Sequence, residues 1–471
     1  MNWPVVSLEL GVGASVVGLL LADLVLHAAQ KRHLWKLALG GLLVLAGILG
    51  WQQQWVGQHF DPMFVFDGFA GYFKWLFLLT ASVVVLMTRV FVRRLADHAA
   101  EFYLLIFSAL LGMLILASVQ DFLLLFIGLE LLTFSLYIMA AYVKTDARSV
   151  EAGMKYLIMG SISSGFLVYG ISLLYGATGS TSFEALHRAL ASGGPSPLTA
   201  AGSLLVLAGL GFKIAAVPFH LWVPDVYEGA PTPVVALLSV GSKMAGVAAL
   251  LRVLYGALLP AQTLWGGLLA VLSAATMLYG NLAAIPQTNV KRLLGYSSIG
   301  HAGYLLMGMS TATMAGVHGV GFYLLAYLVS NLAAFFVVVL VTEGLGGESL
   351  DHYNGLARRS PLLAAAMFLG LLSLAGVPPL AGFSGKLLVL LATVEDGRLW
   401  LVAIGSLNVV ISLYYYLMVV RRMYMLAPNS SAPVSVDRVT RLALWMLMGG
   451  IVLIGIFPNP FLRLITSALQ F

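Results

Sequence analysis

Apolar windows of about 20 residues follow one another almost without pause along the chain. Fourteen of them start near residues 4, 36, 69, 102, 121, 153, 199, 232, 263, 293, 316, 361, 399 and 441. A helix rises about 1.5 Å per residue, so each window is long enough to cross a bilayer. The pattern predicts an all-α polytopic membrane protein. Its cations lie mostly in the connections. Those after spans 1, 3, 5, 9, 11 and 13 hold seventeen of the 25 Lys and Arg, Arg32, Arg93, Arg94, Lys291 and Arg292 among them. The alternate connections and the C-terminal end offer Arg188, Arg398 and Arg463. Basic connections stay in the cytoplasm, which would put both termini on the outer side of the membrane. Trp51, Trp55, Trp75 and Trp400 fall at span ends, as interfacial aromatics do.

Composition agrees: 60% of the residues are hydrophobic and 9% charged, which excludes a soluble globule. The first window, from about Pro4 to Leu26, lacks a basic start and a small-residue cleavage site, so it is expected to be a retained span. There is no cysteine, which removes disulfides, iron–sulfur ligation and thiolate metal sites. The net charge of +6 does not point to nucleic acid, because the cations sit between helices.

Five cations remain inside spans. Lys74 and Arg252 lie within two turns of an outer end and are expected to snorkel to the interface. Lys213, Lys243 and Lys386 are deeper, where a lysine costs roughly 3 kcal/mol and so faces a bundle interior or wet cavity. Two of them flank a stretch interrupted by Pro218, Pro224, Pro231 and Pro233. Proline inside a membrane helix frees carbonyls that need protein or water partners. Buried cations beside broken helices have the layout of an ion or proton path.

The break recurs. AAVPFHLWVPDV (215–226) in span 7 matches AGVPPLAGFSGK (375–386) in span 12 at a shift of 160, and SVGSKMAG (239–246) matches AIGSLNVV (403–410) at a shift of 164. Spans 4–8 and 9–13 therefore read as two five-helix repeats, inverted because five is odd, with broken helices 7 and 12. The expected divisions are 1–100, three N-terminal helices; 101–258, the first repeat; 259–426, the second; and 427–471, an inner loop and last helix.

Glu130 lies near mid-depth in span 5, where a carboxylate needs a partner or a proton. Lys213 is its natural partner. A lysine held between desolvation, which disfavours its charge, and a carboxylate, which favours it, can release and regain a proton. His220 follows Lys213 at i+7 and would share its helix face. Ser239 and Ser242 suggest a hydrated lining around Lys243. His301 fits a proton relay and a hydrogen-bonded core histidine equally well. No facing histidine pair suggests haem. Asp225 and Glu228 are expected in a solvated loop or at a proton mouth. No nucleotide motif, metal box or nucleophile elbow is present.

GFKIAAVPFHLWVPDVYEGAPTPVVALLSVGSKMAG (211–246), with SVEAGMKYLIMGSISSG (149–165) and NVKRLLGYSSIGHAGYLLMG (289–308), closely resembles the N-type antiporter-like membrane subunits of bacterial respiratory NADH:quinone oxidoreductase. The resemblance covers nearly the whole chain and implies fourteen helices with inverted repeats. It implies proton translocation coupled to quinone reduction elsewhere, with NADH, FMN, iron–sulfur clusters and quinone on partner subunits and no cofactor here. The expected partners are the other membrane subunits and the lipid bilayer. Carried over, Glu130 and Lys213 are the coupling pair, Lys243 the central lysine and Lys386 the lysine toward the far side. Leu407 stands where the repeat would place a counterpart of Lys243, so one path through both halves is expected. L-type subunits continue into a long lateral helix, whereas this sequence ends just after span 14. The alternatives are a subunit of a multisubunit cation/proton antiporter, the membrane arm of a hydrogenase complex, and a scaffold whose buried charges only join helices.

Overall fold

The computed structural model describes residues 2–31, 33–92, 99–428 and 434–470. Arg32, Arg93 and Arg94 lie outside them. Among the described residues the regular structure is helical apart from one hairpin, β1 (Gln58–Asp61) paired with β2 (Phe64–Phe66). Helices α1 (Ser7–Val25), α2 (Leu34–Gln52), α3 (Gly68–Phe91), α4 (Ala99–Ser118), α5 (Phe122–Ala140) and α6 (Ala147–Thr178) lead to a short amphipathic α7 (Phe183–Gly193). Next come α8 (Pro197–Ile214), short α9 (Val223–Gly229) and α10 (Thr232–Ala257), followed by α11 (Gln262–Ala284), α12 (Val290–Ser310) and α13 (Met314–Leu345). A broken pair, α14 (Pro361–Ala375) and α15 (Ala381–Glu395), precedes α16 (Leu399–Met425), α17 (Arg438–Ile456) and a second amphipathic helix, α18 (Pro458–Ala468).

Among the described residues, 12 helices are long and apolar enough to cross a membrane. The two other expected spans fall short of that measure for physical reasons. The helix α12 carries Lys291, Arg292, Ser297, Ser298 and His301 along its 21 residues. The pair α14/α15 is split into halves of 15 residues each. Helix starts are set by side chains that cap free backbone N–H groups: Asp67 accepts from Ala70 N at 2.8 Å, Asp121 from Leu123 N at 2.7 Å and Asp146 from Arg148 N at 2.9 Å.

Burial grades from the centre outward. The most apolar stretch of α10 is 100% buried and that of α13 is 94%, whereas α1 and α6 reach 22% and 28%. The lysine-bearing helix α10 is therefore the axis around which the others pack. Connections that alternate along the sequence gather at opposite ends. At one end Phe91, Ser149, Gly229, Asn289 and Ser349 line one vestibule. At the other, Phe64 pairs with Val119 and Asp121 with Ser182.

Asp437 caps α17 by accepting from Val439 N at 3.1 Å and pairs with Arg89 of α3. Burial works against its charge, but Arg89 outweighs that and holds its pKa down at about 2. A depressed carboxylate stabilises the fold above its unfolded pKa and loses that contribution only as pH falls through the folded value. Asp437→Ala should cost about 1 kcal/mol, chiefly the cap. That would be read as a lower melting temperature in detergent.

Candidate functional site

The first helix break follows directly from the sequence around Pro218. The helix α8 ends at Ile214, and Ala215 turns into the left-handed region at φ 65°. The freed groups find partners: Trp222 Nε1 donates to Phe212 O at 3.2 Å, and Val217 N to Thr276 Oγ1 at 3.0 Å. In the second break Gly376 takes φ 89°, and Gly382 N donates to Ser373 Oγ at 3.0 Å. Lys386 Nζ donates to Ala375 O at 2.9 Å, so this cation caps the carbonyl end of α14.

Lys213 is buried in the last turn of α8. Its ammonium donates to Thr133 Oγ1 at 2.9 Å and reaches Tyr156 OH at 3.4 Å. Tyr156 is stacked on Trp222 with centroids 4.6 Å apart. The lysine stem runs over Gly246 of α10, where an added Cβ would lie 3.1 Å from Lys213 Cγ. The expected ion pair with Glu130 is not formed. Glu130 is half-buried on the outward face of α5 and accepts a hydrogen bond from Ser164 Oγ instead. Thr133, one turn further along α5, takes the ammonium in its place.

The helix α10 widens into a π-turn at Leu238–Ser242 immediately before Lys243, a distortion common at functional sites. Lys243 donates to both the carbonyl and the hydroxyl of Ser298. Ser298 Oγ is 3.1 Å from Tyr227 OH and 3.1 Å from Tyr327 OH. Tyr327 continues to Ser239 at 2.9 Å, which accepts from Asn331 Nδ2 at 2.5 Å. His301, one turn after Ser298, is hydrogen-bonded to Tyr323 OH through Nδ1 at 2.6 Å and to Tyr416 OH through Nε2 at 3.1 Å. Tyr327, Tyr323, His301 and Lys386 line a cavity of about 10 Å³, room for about one water. A run of exchangeable protons thus leads from Lys243 through Ser298 and Tyr327 to a space shared with His301 and Lys386.

Several expectations need correcting. His220 does not share a helix face with Lys213, because the chain leaves helical geometry at Ala215. It packs edge-on against Tyr279, with ring centroids 4.3 Å apart. Neither Lys74 nor Arg252 snorkels. Lys74 is fully buried, 2.8 Å from a Glu9 oxygen, and Arg252 forms a two-pronged pair with Asp67 at 2.7 Å per contact. Asp225 and Glu228 are half-exposed and ion-paired, Asp225 with Lys155 at 2.6 Å and both with Arg292 at 2.9 Å. The tyrosines were missed, although a sequence signal existed. Tyr323, Tyr327 and Asn331 recur every four residues on a mostly apolar helix and so form one stripe. Among the described residues no cluster of three or more His, Asp or Glu is placed to hold a metal ion.

A helical membrane bundle with a central, fully buried, lysine-bearing helix and an internal hydroxyl–imidazole run defines the class: a polytopic protein with a polar axis inside the membrane. A family model described as NADH:quinone oxidoreductase/Mrp antiporter, transmembrane, matches residues 119–412, and the chain belongs to that family. A protein of Desulforamulus reducens named NADH-quinone oxidoreductase subunit N is 42% identical over 100% of this chain and 98% of its own length. A chain of the respiratory complex I of Thermus thermophilus is 34% identical, with a TM-score of 0.83 over 97% of this chain and 98% of that one. A chain of the Mrp complex of Dietzia, 20% identical, reaches a TM-score of 0.86 over 99% and 97%, which shows the shared fold.

Proposed function

We propose that this chain is a proton-translocating membrane-arm subunit of a respiratory NADH:quinone oxidoreductase. Protons move along Lys213, Lys243, His301 and Lys386 while NADH, FMN, iron–sulfur clusters and quinone do redox chemistry on partner subunits. The carrying observation is the hydrogen-bonded run from Lys243 through Ser298 and Tyr327 to the cavity lined by His301 and Lys386. Residues 101–258 and 259–426 act as two inverted halves, each contributing one broken helix. The end that collects the basic connections is cytoplasmic, and both termini lie on the far side.

Glu130 supplies the coupling. It lies on an outward face among Ile127, Phe134 and Ile138, all about half exposed, where a neighbouring subunit can reach it. A partner that changes the charge or hydrogen bonding of Glu130 alters the field at Lys213. The ammonium then exchanges Thr133 and Tyr156 for the carboxylate, and the change in its proton affinity passes to Lys243. Lys213→Ala should lower pumping and coupled quinone reduction by about tenfold, the equivalent of one pKa unit of proton affinity, in complexes that still assemble. Pumping at the normal rate by an assembled Lys213→Ala complex would sink the proposal. Purification in gentle detergent should bring down flavin and iron–sulfur subunits. A purely membrane-embedded assembly exchanging sodium for protons would move the chain to the antiporter alternative.

A further inference from the structure

The geometry points to Lys291 and Tyr227 as a gate between a polar vestibule and Lys243, an inference that rests on the proton-path function proposed above. At the end where the basic connections meet, an open vestibule of about 570 Å³ lies between residues 146–149, 228–232, 288–291 and 342–352. Lys291, counted among loop cations by its place in the sequence, is only 2% exposed. It stands on the second residue of α12 and donates to Ala230 O and to Glu348 Oε1, both at 2.7 Å. Glu348 is held in place by its own backbone, since Glu348 O accepts from Val290 N at 2.9 Å and Asn289 bridges to Ser349.

Below Lys291 on the same face of α12 come Gly295 and Ser298, at i+4 and i+7. A Cβ at Gly295 would lie 3.2 Å from the ring of Tyr227, so that ring rests closely on the helix backbone, and a larger residue there would press it back by a few tenths of an ångström. The Tyr227 hydroxyl then meets Ser298 Oγ, which also receives Lys243. One stripe of α12 therefore runs antiparallel to the short α9 segment. It leads from the vestibule floor at Lys291 and Ala230, past Tyr227, to Lys243. While Lys291 grips both Ala230 and Glu348, the 227–230 segment is clamped, Tyr227 covers Gly295, and the vestibule ends there. Release of Glu348 frees that segment, lifts the ring and opens a wet connection to Ser298 and Lys243. Lys291 is thus a positioning residue: it controls access and need not carry the proton.

The cysteine-free sequence makes a direct test practical, because a thiol label on this chain reports one introduced site. In the intact complex, Ser349→Cys marks the vestibule and Ser298→Cys lies behind the gate. A small cationic thiol reagent added to the side that labels Ser349→Cys should modify Ser298→Cys at least about tenfold more slowly. Combining Ser298→Cys with Glu348→Gln or Lys291→Met should remove most of that difference. Equal rates at the two sites in the otherwise unchanged chain would overturn the gate, and so would a slow rate unmoved by either second substitution. The first comparison needs neither gate variant to assemble. Pumping by Lys243→Ala separates the two ideas. If it pumps normally, the proton-path function fails. If it does not pump and labelling shows no gate, only the gate fails.

Discussion

Replacing Lys243 with alanine should stop proton pumping in assembled complexes, reducing it about a hundredfold. The side chain is the junction of the axis. It is the only residue hydrogen-bonded to both the carbonyl and the hydroxyl of Ser298 among the described residues, and Ser298 in turn meets Tyr227 and Tyr327. Alanine removes the ammonium from both oxygens, and the surrounding helix is wholly buried. Lys243→Arg is the sharper comparison. Arginine keeps a positive charge and hydrogen-bonding capacity, but it does not release its proton in a protein. If Lys243 only holds helices together, arginine should restore function; if it passes protons, arginine should assemble well and pump as poorly as alanine. Stopped-flow acidification of vesicles, normalised to the amount of assembled complex, reads the difference. Normal pumping by Lys243→Arg would remove Lys243 from the proton path.

The periodic part of the architecture was legible from hydrophobic windows. Capping side chains set the starts of helices at Asp67, Asp121 and Asn289, and the prolines marked both helix breaks in the sequence. What the sequence concealed depends on contacts between remote segments. The depth of Lys291 could not be read from its place in a basic connection, because its partners Ala230 and Glu348 lie 61 and 57 residues away. The pairing expected between Glu130 and Lys213 assumed that the carboxylate points inward, but α5 turns it outward to Ser164 and presents Thr133 instead. The shared face of Lys213 and His220 assumed a continuous helix through Ala215. The amphipathic helices α7 and α18 and the β1–β2 hairpin were absorbed into expected loops or chain ends, because they are too short to give a spanning signal. The lysines themselves were recognisable, since a cation in the middle of an apolar window is costly in any structure.

Asp67→Ala should be the most damaging change to stability at the end opposite the vestibule. Arg252 is 3% exposed and donates through both terminal nitrogens to Asp67, while its Nε and Nη2 also reach Ala117 O at 3.0 and 2.8 Å. Removing the carboxylate strands a buried guanidinium, a loss of about 3–5 kcal/mol. The cap of α3 goes with it, adding about 1 kcal/mol. Asp67→Asn separates the two, because the amide can still cap while the charge is gone. The ordering expected for melting temperature and yield is native, then Asn, then Ala. Replacing Arg252 by methionine in the Asp67→Ala background should recover part of the loss, since neither partner is then left as an unpaired buried charge. Burial works against the Asp67 charge, but Arg252 outweighs it and holds the pKa below the ordinary carboxylate range. The contribution of the pair is therefore complete at neutral pH and is lost only as pH falls through that lowered value. Among the described residues, neither Arg252 nor the nearby Lys74–Glu9 pair shares a hydrogen bond with Lys213, Lys243 or Lys386. Asp67→Asn should thus reduce the number of complexes while leaving pumping per complex intact. An unchanged melting temperature for Asp67→Ala would show that the fork is worth little. Defective pumping at normal assembly would show instead that the charges at this end belong to the proton path.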